Sequence, residues 1–295
     1  MTSWDVSGEA WDIETEPGIA LHGRSIGTGP AVVLLHGHPR THATWHRVAP
    51  ALAAAGYAVV YPDLRGYGRS SKPEPDAEHR RYCDRAMAAD TAGLMSALGH
   101  ERFAVVGHDR GAYVAFRTAM DFPDRVAALA VCDGVPIIEA LERADARFAA
   151  KWWHWFFYGA SPHAERVITA DPLAWYRLDR ESMGRDNYED AAAAVTDPRT
   201  VRAMLEDYRA GLTRDREHDA ADRAGGRRVR APVLAMWSRF DDMEDLYGDP
   251  AAVWEPWCER PVRTAVIDSG HHMSEEAPDQ VAAALRGFLA ETAPA

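Results

Sequence analysis

The pentapeptide Gly107-His108-Asp109-Arg110-Gly111 follows an apolar run and precedes a helical pattern. A strand turning sharply into a helix strains its turn residue, and small residues two positions to either side make room for it. The turn residue is an aspartate. A carboxylate is anionic at neutral pH without a helper base, so it can attack carbon directly and form an ester. The plainer reading is a glycine-flanked turn with Asp109 as a helix N-cap. Three further stretches favour chemistry. His36-Gly37-His38-Pro39 follows another apolar run, where a loop can lend a backbone N–H to an oxyanion; His38 and Arg110 are the expected donors. Asp63-Leu64-Arg65-Gly66-Tyr67-Gly68-Arg69-Ser70 is a glycine-rich loop after the next run. Gly270-His271 follows the last apolar run and supplies a base; His272 is read as a bystander. Asp109, Asp133 and His271 stand in the order nucleophile, acid, histidine. Asp241 and Asp242 sit after a later apolar run and are the alternative acids.

Elements that could hold these residues alternate along the chain. Apolar runs at 31–35, 57–61, 103–106, 126–132, 233–237 and 264–267 read as buried strands. Helical patterns lie at 44–55, 84–98, 112–120, 250–258 and 278–289, several closed by glycine. This alternation predicts an α/β fold with a mostly parallel sheet flanked by helices. From about Ile137 to Asp215 no strand signal occurs. We therefore expect an α/β core formed by 1–136 and 217–295 and an inserted helical cap at 137–216. Such a cap would roof the carboxyl ends of the strands, where open α/β sheets bind ligands.

Composition narrows the partners. The 295 residues carry a formal charge of −12, which repels phosphate backbones and anionic lipid; nucleic-acid and membrane-surface roles are not expected. Cys83, Cys132 and Cys258 are odd in number and form no CxxC pair, which argues against a disulfide framework or a zinc motif and fits a reducing compartment. Cys132 lies in an apolar run and reads as core. Met1 to Glu16 lacks a basic segment followed by an apolar one, and no run approaches a membrane span, so a cytoplasmic location is expected.

With these stretches in hand, the chain resembles the fluoroacetate (haloacetate) dehalogenases of the α/β-hydrolase superfamily over nearly its whole length. The resemblance is carried by His36-Gly37-His38-Pro39 with Thr41-His42, by Gly107 to Gly111, by Asp133 at a strand end, by Lys151 with His154-Trp155, by Glu206-Asp207-Tyr208-Arg209-Ala210-Gly211, by Glu217-His218-Asp219 and by Ser269-Gly270-His271. It implies a two-step hydrolysis of a small halogenated acid: Asp109 displaces halide, and His271, oriented by Asp133, activates water against the resulting ester. It implies a halide pocket of His154, Trp155 and Tyr208, a homodimer, and neither cofactor nor metal. The family grips the substrate carboxylate with two arginines, one and four residues after the nucleophile. Here the first is Arg110 and the second is replaced by Tyr113, which can donate a hydrogen bond but brings no charge. Arg40 is a candidate for the missing charge. The rival enzyme is an epoxide hydrolase, with Tyr158, Tyr176, Tyr188 and Tyr208 as the pool for its two cap phenols. A non-catalytic ligand-binding protein is the reading from another class, and it sits poorly with an intact triad.

Overall fold

The computed structural model describes residues 6–293; the first residues of the amino-terminal segment considered above, Met1 to Asp5, lie outside it. Eight strands form one sheet in the order β1-β2-β4-β3-β5-β6-β7-β8. They are β1 (Glu9–Glu16), β2 (Ile19–Ile26), β3 (Ala31–Leu35), β4 (Ala58–Pro62), β5 (Phe103–His108), β6 (Val126–Cys132), β7 (Val233–Ser238) and β8 (Arg263–Ile267). From β4 to β8 all neighbours are parallel, and β1 and β2 are antiparallel. The runs read as strands are buried along β3 to β7, as expected of strands covered on both faces. The β1–β2 hairpin went unread. Its outer strand, Glu-Ala-Trp-Asp-Ile-Glu-Thr-Glu, is exposed or half-exposed throughout, so it carries few apolar residues to signal it.

Two apolar layers pack against the sheet. One centres on Trp45, Val48, Leu52, Val281 and Leu285; the other on Met87, Leu94, Tyr113, Phe116 and Trp254. Between β6 and β7 the chain is helical, as the absence of strand signal predicts. Its last part is one long helix: Pro198–Ala210 runs through a π turn, Gly211–Asp215, into Arg216–Ala224, with helical backbone at both junctions. The boundary expected at 216/217 thus falls inside a continuous helix. Its carboxyl-terminal half is fastened to the core helix Arg110–Asp121 by Arg117, which pairs with Asp219 at 2.7 Å and with Asp222. No helix among the described residues is long and apolar enough to cross a membrane.

Candidate active site

Asp109 ends the turn between β5 and helix Arg110–Asp121 with φ 51° and ψ −118°, a conformation that costs a non-glycine residue about 1–3 kcal/mol. The packing that enforces it leaves no room for side chains nearby. A Cβ on Gly107 would lie 2.0 Å from the Gly111 carbonyl oxygen, and one on Gly111 would lie 2.4 Å from the Leu35 carbonyl oxygen. The backbone is tied on both sides: the Asp109 N–H donates to the Cys132 carbonyl at 3.0 Å, and the Asp109 carbonyl accepts from Ala112 N–H at 2.9 Å. The expected oxyanion loop is in place. His38 N–H donates to Asp109 Oδ1 at 2.6 Å. Asp109 Oδ2 lies 3.7 Å from His271 Nε2. Burial alone would raise the Asp109 pKa, but the neighbouring His271, His108 and the His38 N–H outweigh it and hold the carboxyl well below its usual range.

His271 Nδ1 donates to Asp241 Oδ2 at 2.8 Å, whereas Asp133 Oδ2 is 3.8 Å away. This corrects the expectation that Asp133 directly orients the base. The reason lies in the sheet. Asp133 follows β6 beside the end of β7, and its two carboxylate oxygens accept from Ser238 N–H at 2.7 Å and Ser238 Oγ at 2.6 Å. Those bonds hold the carboxylate toward Ser238 rather than toward the imidazole. Asp241, three residues beyond β7, reaches the imidazole instead. Burial would lower the His271 pKa, but Asp109 and Asp241, with Asp133 behind them, raise it well above the ordinary value. Asp109 and Asp241 thus both favour the protonated imidazole. His108 Nε2 donates to the His271 carbonyl oxygen at 2.7 Å and fixes the backbone carrying the base.

Two cavities meet at this point. The larger, about 510 Å³, is lined by His38, Asp109, Tyr158, Tyr176, Tyr208 and His271 among others. The smaller, about 220 Å³, is lined by Asp109, Tyr113, Trp155, Asp241 and His271. His154 borders both. The three residues expected to hold a halide are brought together: the ring centroids of His154 and Trp155 lie 5.8 and 6.1 Å from that of Tyr208. Burial lowers the His154 pKa to about 4, so its imidazole is neutral. Burial, reinforced by Asp109, raises Tyr208 and Tyr113 well above the usual phenol value, so both keep their O–H protons.

The charges expected to meet a substrate carboxylate are placed differently. Arg110 is 1% exposed and lines neither cavity. It is clamped to the Asp207 carboxylate through Nη2, with Nε at 3.1 Å, and its guanidinium lies 5.0 and 4.7 Å from the ring centroids of Tyr113 and Tyr208. Among the described residues its Nη1 alone has no hydrogen-bond partner. Arg40 is likewise engaged. It donates to both oxygens of Glu275, at 2.9 and 3.1 Å, away from either cavity. With both donors on Glu275, Arg40 does not supply the missing charge. Arg177, which no sequence pattern singled out, borders the larger cavity, and no ion pair to it occurs among the described residues. It sits at the end of helix Pro172–Tyr176 in a left-handed conformation. Asp207 was legible only as part of a family-like stretch; nothing in the sequence marks it as the partner of Arg110.

The model of the α/β hydrolase fold matches residues 30–278. The chain belongs to that family. It is 40% identical to a fluoroacetate dehalogenase of a Burkholderia species over 274 residues, covering 90% of this chain and 88% of the relative. It is 33% identical to a soluble epoxide hydrolase of Corynebacterium sp. (strain C12) over 287 residues, covering 92% and 94%. Among solved structures, a protein of Nostoc sp. PCC 7120 assigned to the α/β hydrolases superposes with a TM-score of 0.91 at 36% identity, covering 95% of this chain and 97% of that one. The resemblance read from the sequence is thus borne out, together with hydrolase activity; the relatives span both carbon–halide and epoxide chemistry.

Proposed function

We propose that this hydrolase cleaves the carbon–halogen bond of small 2-halo carboxylic acids through an ester on Asp109. One observation carries the reading: an ionised carboxylate on a strained turn faces two adjoining cavities, the larger offering the neutral donors His154 and Tyr208 and the smaller His154 and Trp155. Asp109 Oδ2 attacks the halogen-bearing carbon. The carbon–halogen bond breaks as the new carbon–oxygen bond forms, and the halide departs with the bonding pair. Donors aimed at that developing anion act mainly in the transition state, which is where they accelerate the step.

Ester formation removes the Asp109 charge, one of the two anions that most strongly raise the His271 pKa. The imidazolium can then lose its proton to solvent, balancing the departing halide, and serve as base. Neutral His271 takes a proton from water. The hydroxide equivalent adds to the aspartyl carbonyl, and its oxyanion is met by the His38 and Arg110 N–H groups. Collapse breaks the ester carbon–oxygen bond, the departing alkoxide takes the proton from His271 to leave as the 2-hydroxy acid, and Asp109 is regenerated. Asp241 holds the imidazole with Nδ1 protonated and Nε2 toward the reaction. In this reading Tyr113 offers a phenol to the substrate carboxylate from the smaller cavity and Arg177 supplies the charge from the larger one.

The test is release of fluoride or chloride from fluoroacetate, chloroacetate and 2-halopropionates, with styrene oxide beside them. Halide with 2-hydroxy acid supports the proposal, and diol without halide release rejects it. The second reading, epoxide hydrolysis, rests on Tyr158 and Tyr208, whose ring centroids lie 4.8 Å apart on the same cavity; two phenols there can protonate an epoxide oxygen. The ester itself is tested with His271→Ala, in which the Asp109 peptide should gain the mass of the carboxymethyl group.

A further inference from the structure

Away from Asp109, a thiol, a carboxylate and an imidazole converge. One donor atom each from Cys83, Asp215 and His218 lies within 4.8 Å of the other two. Cys83 precedes helix Asp84–Ala97. Asp215 and His218 lie three residues apart, and so on one face, of the long helix that carries Tyr208. Asp215 is 2% exposed. Its Oδ1 accepts from Asp84 N–H at 2.9 Å. Among the described residues, its Oδ2 has no hydrogen-bond partner, and neither does buried His218 Nδ1 or Asp84 Oδ1. Buried polar atoms are almost always paired. Here two carboxylates and an imidazole nitrogen leave lone pairs unused beside a thiol.

We propose that Cys83, Asp215 and His218 form a binding site for a divalent cation of intermediate softness, Zn²⁺, separate from the Asp109–His271 centre. Thiolate sulfur, imidazole nitrogen and carboxylate oxygen are the donors that Zn²⁺ takes, and three of them leave a fourth position for water. One thiolate and one carboxylate balance the ion's charge. Binding removes the Cys83 proton, which leaves to solvent. In the unliganded protein burial and Asp215 push that thiol up to about 12, so it is a neutral, unreactive group. A surface depression of about 390 Å³, lined by Cys83 and His218 with Arg80, Arg85 and Arg214, gives access. Those guanidiniums do not repel the ion at full strength, because each is paired: Arg80 and Arg214 with Glu78, and Arg85 with Asp121 at 2.8 Å. No cysteine-pair spacing announces the site, because its ligands come from elements far apart in sequence. A bound ion would tie the start of helix Asp84–Ala97 to the π turn just beyond Tyr208.

The full-length protein, freed of metal by a chelator, is titrated with Co²⁺ and then Zn²⁺. We expect one equivalent of Co²⁺ with a thiolate-to-cobalt charge-transfer band in the near ultraviolet, displacement by Zn²⁺, and a higher melting temperature with either ion. Cys83→Ser and His218→Ala should each abolish the band or weaken binding by about tenfold or more. His218 is partly exposed, so its alanine variant tests the site without emptying the core. The proposal is overturned if wild-type protein gives no thiolate band, or if the band persists unchanged in His218→Ala.

Discussion

Replacing the two acids near His271 separately, Asp241→Asn and Asp133→Asn, tests which of them works with the base. The carboxylate oxygens lie 2.8 and 3.8 Å from Nδ1. With an effective dielectric of about 20, full charges at those separations attract by roughly 6 and roughly 4 kcal/mol. These are upper bounds, since a third of the His271 side chain meets solvent. The difference is about 1.5 kcal/mol, or roughly tenfold in rate. Asp241 alone also makes a charged hydrogen bond, worth about 1.5–3 kcal/mol, which adds roughly ten- to hundredfold. Asp241→Asn should therefore slow ester hydrolysis by roughly 10²–10³ more than Asp133→Asn, whose carboxylate holds Ser238. Rapid-quench measurement of halide from chloroacetate separates the two steps. Attack by Asp109 needs no base, so Asp241→Asn should keep a burst near one halide per site and lose steady-state turnover. Equal losses in the two variants, or a larger loss in Asp133→Asn, would refute the assignment.

Other outcomes follow from the same geometry. Once Asp109 is esterified, Asp241 and Asp133 remain to raise the His271 pKa, and only the neutral imidazole is a base, so hydrolysis of the ester should rise with pH; in Asp241→Asn the rise should shift to lower pH, read from single-turnover rates across a pH series. Tyr208→Phe should reduce halide release by roughly 10²–10³, the effect of deleting one preorganised donor, and more for fluoride than for chloride; equal activity of the variant would remove Tyr208 from the halide pocket. Arg177→Gln should raise KM for chloroacetate about two- to fivefold, as suits an exposed charge, and leave KM for neutral chloroacetamide unchanged. Arg40→Met should cost about 3–5 kcal/mol in chemical denaturation by stranding buried Glu275, with KM unmoved. Glu275 has a depressed pKa: burial opposes, but Arg40, Asn187 and Thr44 prevail. Its stabilising contribution is therefore full above the unfolded value of roughly 4.3 and lost as pH falls through the folded one.

Much of the scaffold could be read because buried parallel strands are short apolar runs, and β3 to β7 are such runs. The β1–β2 hairpin could not, since its outer strand is only half-covered, with Trp11 and Ile13 its only sizeable apolar residues on the core side. The elbow and its oxyanion loop were legible because steric demands select glycine around Asp109. The identity of the acid was not. It depends on how far the segment after β7 reaches and on Ser238 holding the Asp133 carboxylate, and neither distance has a sequence signal. Arg110 shows the same limit from the other side. Its position after the nucleophile is plain, but only folding brings Asp207 against it from a helix nearly a hundred residues away.

The long helix through the π turn joins two tasks in one beam. Near its middle it presents Tyr208 to the larger cavity and holds Arg110 through Asp207; farther along, Asp219 and Asp222 bolt it to Arg117 beneath. A ceiling nailed to its own foundation does not lift away as a plate. In the proposed reaction, acid enters and halide leaves past the short helices Trp153–Gly159 and Pro172–Tyr176 that line the larger cavity, and stiffening those should slow product escape while leaving the chemical steps untouched.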